Sequence, residues 1–431
     1  MMVLGLLVVL TGCGGGGGGG STSASTNSGG ASSGGSNSSS GTGNTGNGGS
    51  SVNNVIPVTV DQGPASAPSN LRFVNHMYVS VTVCVPGTAN CTTIDHILLD
   101  TGSAGLRLSA SALPAGFNLP QRNNSVNQSY AECMLFVGGY SWGPLKTADI
   151  HLGAETAAGA AVQILGDSNY QTVPSTCSNA GATANSLSTS GINGLLGVWA
   201  APQDCGPYCA TTANSNTYYA CPTPQSCTQT MMALSDQIAN PIVLFPQDNN
   251  GSIISLPAIP DQGQTTVSGT LTFGIGTQSN NGLGSATVIP LNGYLELGTT
   301  YNGASYPNSY IDSGTNFYAL PNMSNSIPNC TMSPYTGFLC PSSQLNLSGN
   351  MIGTDNVSHP VPFIVGNAQN LLTANPGFNA FDNLAYPSSA GISQQSSSFA
   401  WSTPFFYGKN VYTAIAGATT PSKIQPPYVA F

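Results

Sequence analysis

Two stretches of this chain run an apolar segment into an acid and a tight turn: "ILLDTGS" at 97–103 and "YIDSGT" at 310–315. Their acids, Asp100 and Asp312, stand 212 residues apart. A carboxylate buried at the end of an apolar strand is costly unless something satisfies it. Either each acid is a structural residue locked into its turn, or the two are placed for chemistry. One D-[ST]-G-[ST] match alone is weak in a chain this rich in Ser, Thr and Gly. Two matches, each closing a strand-like run and a lobe's length apart, call for a fold that gathers both halves of the chain at one place.

The surrounding pattern is that of a β protein. In "MYVSVTVCV" (77–85), Met77, Val79, Val81, Val83 and Val85 alternate onto one face, as in a half-buried strand. "PGTAN" makes the turn, and "TTIDHILLD" is the next strand, reaching Asp100. Further strands are expected at 133–139, 146–153, 161–166, 269–276, 286–291, 294–298 and 359–366. One helix is expected at 230–239, where Met231, Leu234 and Ile238 recur at helical spacing before Pro241. Only 5% of residues are charged, and Gly, Ser, Thr, Asn and Pro are plentiful, which suits short strands joined by turns. With 6 bases against 15 acids and a net charge of -9, there is no basic patch for phosphates, so nucleic-acid binding is excluded as an expectation.

On its two loops the sequence resembles the pepsin-like aspartic proteases, whose lobes each donate a D-[ST]-G-[ST] loop. The likeness extends beyond the loops. "GINGLLGV" (191–198) resembles the apolar-apolar-Gly segment threading behind the first loop. "FAWSTPFFYGKNVYTAI" (399–415) stands where the second such segment belongs, with Ser402 in place of Gly. In detail the chain looks most like an uncharacterised family of bacterial lipoproteins distantly related to pepsins. The resemblance implies a mostly β, bilobal double barrel with a central cleft, a first lobe at 56–255 and a second at 256–431. It implies catalysis by Asp100 and Asp312, with no metal and no cofactor. Ser103 and Thr315 would be the outer hydrogen-bond partners of the two acids, and Thr101 and Ser313 would cross-link the loops. Gly102 and Gly314 would let the backbone turn beneath each acid. The flap hairpin corresponds to 133–153, with Phe136 in the place of the usual flap tyrosine and Tyr140 near the tip. Arg107 stands where the family has Trp.

Two carboxylates brought together resist double ionisation, share a proton and titrate as a pair. The ionised member can take a proton from water while the protonated one donates to a scissile carbonyl oxygen. The expected function is therefore aspartic endopeptidase, acting as a monomer on a peptide or protein substrate. The alternative is a catalytically inactive pepsin-like binding or structural protein. "GYSWG" holds a G-x-S-x-G at Ser141, with His359 last of the histidines, but the helix that a nucleophile elbow needs is replaced by Pro144 and an alternating strand. His76, His96 and His151 are scattered on strands and form no metal or catalytic pattern.

The N-terminus adds location. "MMVLGLLVVLTGC" is an apolar stretch ending in a lipobox-like Leu10–Cys13, lacking the usual basic residues before it. The expectation is a lipoprotein signal at 1–13, lipidation of Cys13, a Gly/Ser/Asn linker at 14–55 and anchorage to a membrane of the bacterial cell envelope. Ten further cysteines, an even number, imply disulfides in an exported chain. Cys84/Cys91 and Cys330/Cys340 are plausible local pairs. The cluster from Cys205 to Cys227 contains no His, which favours disulfides over zinc.

Overall fold

The structure is a computed structural model, and it describes residues 54–68, 71–136, 139–183, 185, 190–321, 326–388 and 398–431. The expected signal stretch, Cys13 and nearly all of the linker lie outside the described residues. The first part of the chain forms β1 (Val55–Val60), β2 (Met77–Cys84), β3 (Cys91–Asp100), β4 (Ala104–Ser109), β5 (Ser129–Phe136), β6 (Gly139–Leu152), β7 (Glu155–Leu165), β8 (Gly194–Val198), β9 (Tyr218–Thr223) and β10 (Ser226–Gln229). The middle gives β11 (Gly251–Leu256), β12 (Val267–Phe273) and β13 (Val288–Pro290). Then come β14 (Leu297–Tyr301), β15 (Ala304–Asp312), β16 (Tyr318–Leu320), β17 (Leu345–Ile352), β18 (Ser358–Val365), β19 (Ala385–Pro387) and β20 (Ala400–Ser402). The chain ends on β21 (Lys409–Ala414) and β22 (Tyr428–Ala430).

Strands β2 to β10 build a first lobe and β14 to β20 a second. Between them, β1-β12-β11-β21-β22-β13 hydrogen-bond in that order, so the start, middle and end of the described chain share one sheet. This is a mostly β, two-lobed molecule, as the sequence led one to expect. In β2, Met77, Val79, Val81 and Val83 are all buried, as the alternation requires. The second lobe closes on aromatics: Phe399 stacks on Trp401 with centroids 4.4 Å apart, and Trp401 Nε1 donates to Thr299 Oγ1 at 3.0 Å. The segment after β1 crosses to the second lobe. Arg72 donates to the carbonyls of Leu372, Asn375 and Phe378, and Asn75 donates to those of Asn316 and Phe381.

Two local expectations fail for identifiable reasons. No helix forms at 230–239. Met231 and Leu234 are exposed, and the backbone instead serves neighbours: Met232 N donates to Cys209 O, and Ile238 O accepts from Asp204 N. Tertiary bonding overrides a weak periodicity. The strand expected at 294–298 begins only at Leu297. Asn292 Oδ1 accepts from Tyr294 N and Glu296 N, and Leu295 takes a positive φ of 65°, so the chain turns there.

Five disulfides form: Cys84–Cys91, Cys133–Cys177, Cys205–Cys209, Cys221–Cys227 and Cys330–Cys340. Both expected local pairs are present, and the 205–227 cluster is resolved as two disulfides. Such a set fits an oxidising, non-cytoplasmic compartment. No described helix is long and apolar enough to cross a membrane. Cys133–Cys177 spans a separation of 44 residues and ties β5 to the turn at Ser175–Ser178. Replacing both cysteines by Ala should lower stability by about 2–4 kcal/mol, because the denatured chain regains a long loop. Denaturant unfolding under non-reducing conditions reads this directly.

Candidate active site

Each aspartate is delivered by the same local device. Asp100 ends β3, which pairs in parallel with β8 so that Asp100 lies opposite Gly197. Asp312 ends β15, which pairs in parallel with β20 so that Asp312 lies opposite Ser402. Beyond each crossing the returning segment bonds the loop: Trp199 N donates to Ser103 O at 2.9 Å, and Thr403 N donates to Thr315 O at 3.0 Å. Gly197 is required by space, since a methyl there would sit 2.5 Å from Ser103 O. Ser402 fills the corresponding place in extended backbone, and its hydroxyl turns back to Ala400 O at 3.3 Å. The departure from Gly is thus accommodated locally.

The two loops hold each other reciprocally. Thr101 N donates to Ser313 Oγ at 3.0 Å, and Ser313 N donates to Thr101 Oγ1 at 2.9 Å. Each hydroxyl passes its own proton across to the strand of the opposite loop: Thr101 Oγ1 to Ile311 O at 3.2 Å, and Ser313 Oγ to Leu99 O at 2.8 Å. The carboxylates repeat the symmetry. Asp100 Oδ1 accepts from Gly102 N at 2.7 Å and Oδ2 from Ser103 Oγ at 2.5 Å. Asp312 Oδ1 accepts from Gly314 N at 2.7 Å and Oδ2 from Thr315 Oγ1 at 2.6 Å. The two carboxyls face each other through their Oδ1 atoms, each of which lies against the glycine of the opposite loop.

Both acids are fully buried. Burial first, and then the charge of Asp312, push Asp100 well above the ordinary carboxylate range, against the bonds from Ser103 and Gly102. Burial also raises Asp312, while the bonds from Thr315, Asp100 and Gly314 hold it partly down. The pair therefore retains one proton beyond the pH at which free carboxyls lose theirs. The glycines explain how the acids come so close. A methyl on Gly102 would lie 2.8 Å from Asp312 Oδ1, and one on Gly314 would lie 2.6 Å from Asp100 Oδ1. Neither glycine has a positive φ, so the constraint is close approach rather than turn geometry.

The structure thus brings Asp100, Asp312, Thr101, Gly102, Ser103, Ser313, Gly314 and Thr315 together. Phe136 and Tyr140 lie on the β5–β6 hairpin. Phe136 packs with Tyr78, Leu98, Leu165, Ile192 and Leu195, and Tyr140 with Trp142, Tyr219 and the Cys133–Cys177 disulfide. Ser141 is buried in the middle of β6 and its hydroxyl donates to Gln163 Oε1 at 3.3 Å, with no helix following. No nucleophile elbow exists there. Among the described residues there is no group of three or more His, Cys, Asp or Glu that could hold a metal ion.

Sequence reasoning marked Arg107 only as a departure. In the structure it is fully buried and paired with Glu132 at 2.7 Å and Asp204 at 3.1 Å. The available signal was a cation inside "AGLRLS", an otherwise buried strand of a chain with six bases.

No curated protein sequence matches this chain. An aspartic proteinase from Irpex lacteus, known from its crystal structure, is similar at a TM-score of 0.49 with 16% sequence identity, over 87% of this chain and 96% of that one. A family model described as a protein of unknown function, DUF3443, matches residues 50–431, and the chain belongs to that family.

Proposed function

We propose that this protein is an exported, lipid-anchored aspartic endopeptidase of the bacterial cell envelope. The observation that carries the reading is the pair of fully buried carboxyls, each lying against the glycine of the opposite loop, on two loops that grip each other. In the proposed reaction the ionised member removes a proton from a water held between the acids. The protonated member donates to the scissile carbonyl oxygen and stabilises the tetrahedral intermediate. The intermediate then collapses with a proton delivered to the leaving amine. Ser103 and Thr315 hold the outer oxygens, which leaves the Oδ1 atoms on the inner side for the shared proton and the water. Lobes at 56–255 and 256–431 would each supply one acid, with Cys13 as the lipidated anchor after a signal at 1–13 and the 14–55 linker as tether. The working form would be a monomer acting on a peptide or protein substrate.

A second reading, a peptide-binding protein without turnover, draws on the complete burial of both acids. The test is hydrolysis of an unfolded protein substrate from acid to neutral pH, with and without a statine-containing peptide. Cleavage blocked by that transition-state analogue supports the peptidase. Tight binding of peptide with no cleavage at any pH replaces it with the binding protein.

A further inference from the structure

Arg107 lies on β4, four residues beyond Ser103, and its side chain is wholly removed from solvent. Its Nη1 donates to Ala104 O at 2.9 Å, the carbonyl directly after the first aspartate loop. Its Nη2 donates to Glu132 Oε1 at 2.7 Å and to Asp204 Oδ2 at 3.1 Å. Tyr218 donates its hydroxyl to Asp204 Oδ1 at 2.5 Å and accepts from Ile238 N at 2.9 Å. The planar fork of a guanidinium fixes the directions of its donors. One side of the cation is therefore fastened to the exit of the loop and the other to β5.

The connection continues through the hairpin. Glu132 O accepts from Gln163 Nε2 at 2.8 Å, and Gln163 Oε1 accepts from Ser141 Oγ on β6. Both strands of the hairpin thus join one polar chain that starts at Ala104 O. Strand β4 pairs with β7 and β8, and not with β5 or β6, so no backbone ladder makes this link directly. Two carboxylates around one cation, all buried, are a poor device for stability, since desolvation offsets most of their attraction. They are a good device for fixing a relation between two segments.

We infer that Arg107 is a positioning residue that, through Glu132, holds the first aspartate loop and the β5–β6 hairpin in one fixed relation. Its consequence for turnover rests on the peptidase reading; the mechanical coupling does not.

Removing Arg107 would strand two buried carboxylates and is a folding variant rather than a test. Glu132→Met is the informative change, because it leaves Arg107 a one-to-one partner in Asp204. Glu132→Gln keeps an oxygen for Nη2 and serves as the conservative rescue. In Glu132→Met, amide hydrogen exchange should rise by about tenfold at 101–104 and at 130–136 together, with the β17–β18 hairpin unchanged. Glu132→Gln should stay near wild type. With a peptide substrate, Glu132→Met should raise KM by about tenfold at nearly constant kcat, and Glu132→Gln should restore it. Faster exchange confined to the hairpin, with loop 101–104 as protected as before, would overturn the inference. So would a Gln variant that behaves like the Met variant. A wild-type protein that cleaves nothing would defeat the peptidase reading but leave the exchange result to decide the coupling.

Discussion

Asp100→Asn and Asp312→Asn should each lower peptide hydrolysis by about 10²- to 10⁴-fold, the range lost with a general acid or base. Both proteins should remain folded and be at least as stable as wild type at neutral pH. The Asn side chain keeps the volume and an oxygen for the Gly102 or Gly314 amide, so the loops should stay gripped by Thr101 and Ser313. What disappears is the shared proton, since an amide neither ionises nor passes a proton in this range. The stability sign follows from burial. Asp100 in the folded protein holds its proton well above the ordinary range, so ionising it in place destabilises the fold as pH rises. An amide has no such dependence. The double variant should be barely slower than either single one, because the two acids act as a unit. The checks are kcat/KM and thermal melting at acid and neutral pH. Wild-type activity in either Asn variant would remove the dyad from the mechanism. A collapse of melting temperature in both would make the carboxylates structural.

The part of this site legible in sequence was the part written in consecutive residues. Asp100 to Ser103 and Asp312 to Thr315 each carry their own acid, glycine and hydroxyls, so a short motif contains the local geometry. The alternating valines of β2 likewise announce their buried face. Cys84–Cys91 and Cys330–Cys340 close loops short enough to pair by proximity. What stayed hidden depends on distant partners. Arg107 meets Glu132 25 residues later and Asp204 97 residues later, and nothing in the spacing foretells it. Cys133 and Cys177 meet only because β5 folds back beside the turn at Ser175–Ser178. The flap positions illustrate the same limit. Counting placed Phe136 and Tyr140 on one hairpin, yet the alternation of strand faces sends them into different apolar clusters.

Stability should be highest in acid and fall as pH rises toward neutral, the reverse of the usual profile. Asp100 and Asp312 are fully buried acids whose folded-state pKa values burial raises, with the charge of Asp312 adding to the rise at Asp100. Between the ordinary carboxylate value and the raised one, the folded state binds more protons than the unfolded state. Stability therefore falls with rising pH through that window. His96 acts in the same sense: its bond to Asp61 raises it, so its contribution is present below 6.5 and lost above the raised value. Two other groups nearly cancel. Burial, helped by Asp261, raises Asp382 from 3.8 to about 6, which subtracts stability across that interval. Burial lowers His76 from 6.5 to about 4, so the folded state binds fewer protons there and stability climbs across nearly the same interval. Asp61, which ends below its ordinary 3.8 because bonds from His96 and Gly63 outweigh burial, acts only at still lower pH. The dyad is left to set the slope, with Glu155 and Glu296, which burial also raises, acting in the same sense. Melting temperature measured between about pH 3 and 8 should decline through the acid-to-neutral range. Asp100→Asn should flatten the decline, and Asp382→Asn should unmask His76 and make the slope between 4 and 6.5 shallower or reverse it. A wild-type profile that rises toward neutral pH would mean that these acids sit ionised and stabilised in the fold, and the proton shared by Asp100 and Asp312 would lose its support.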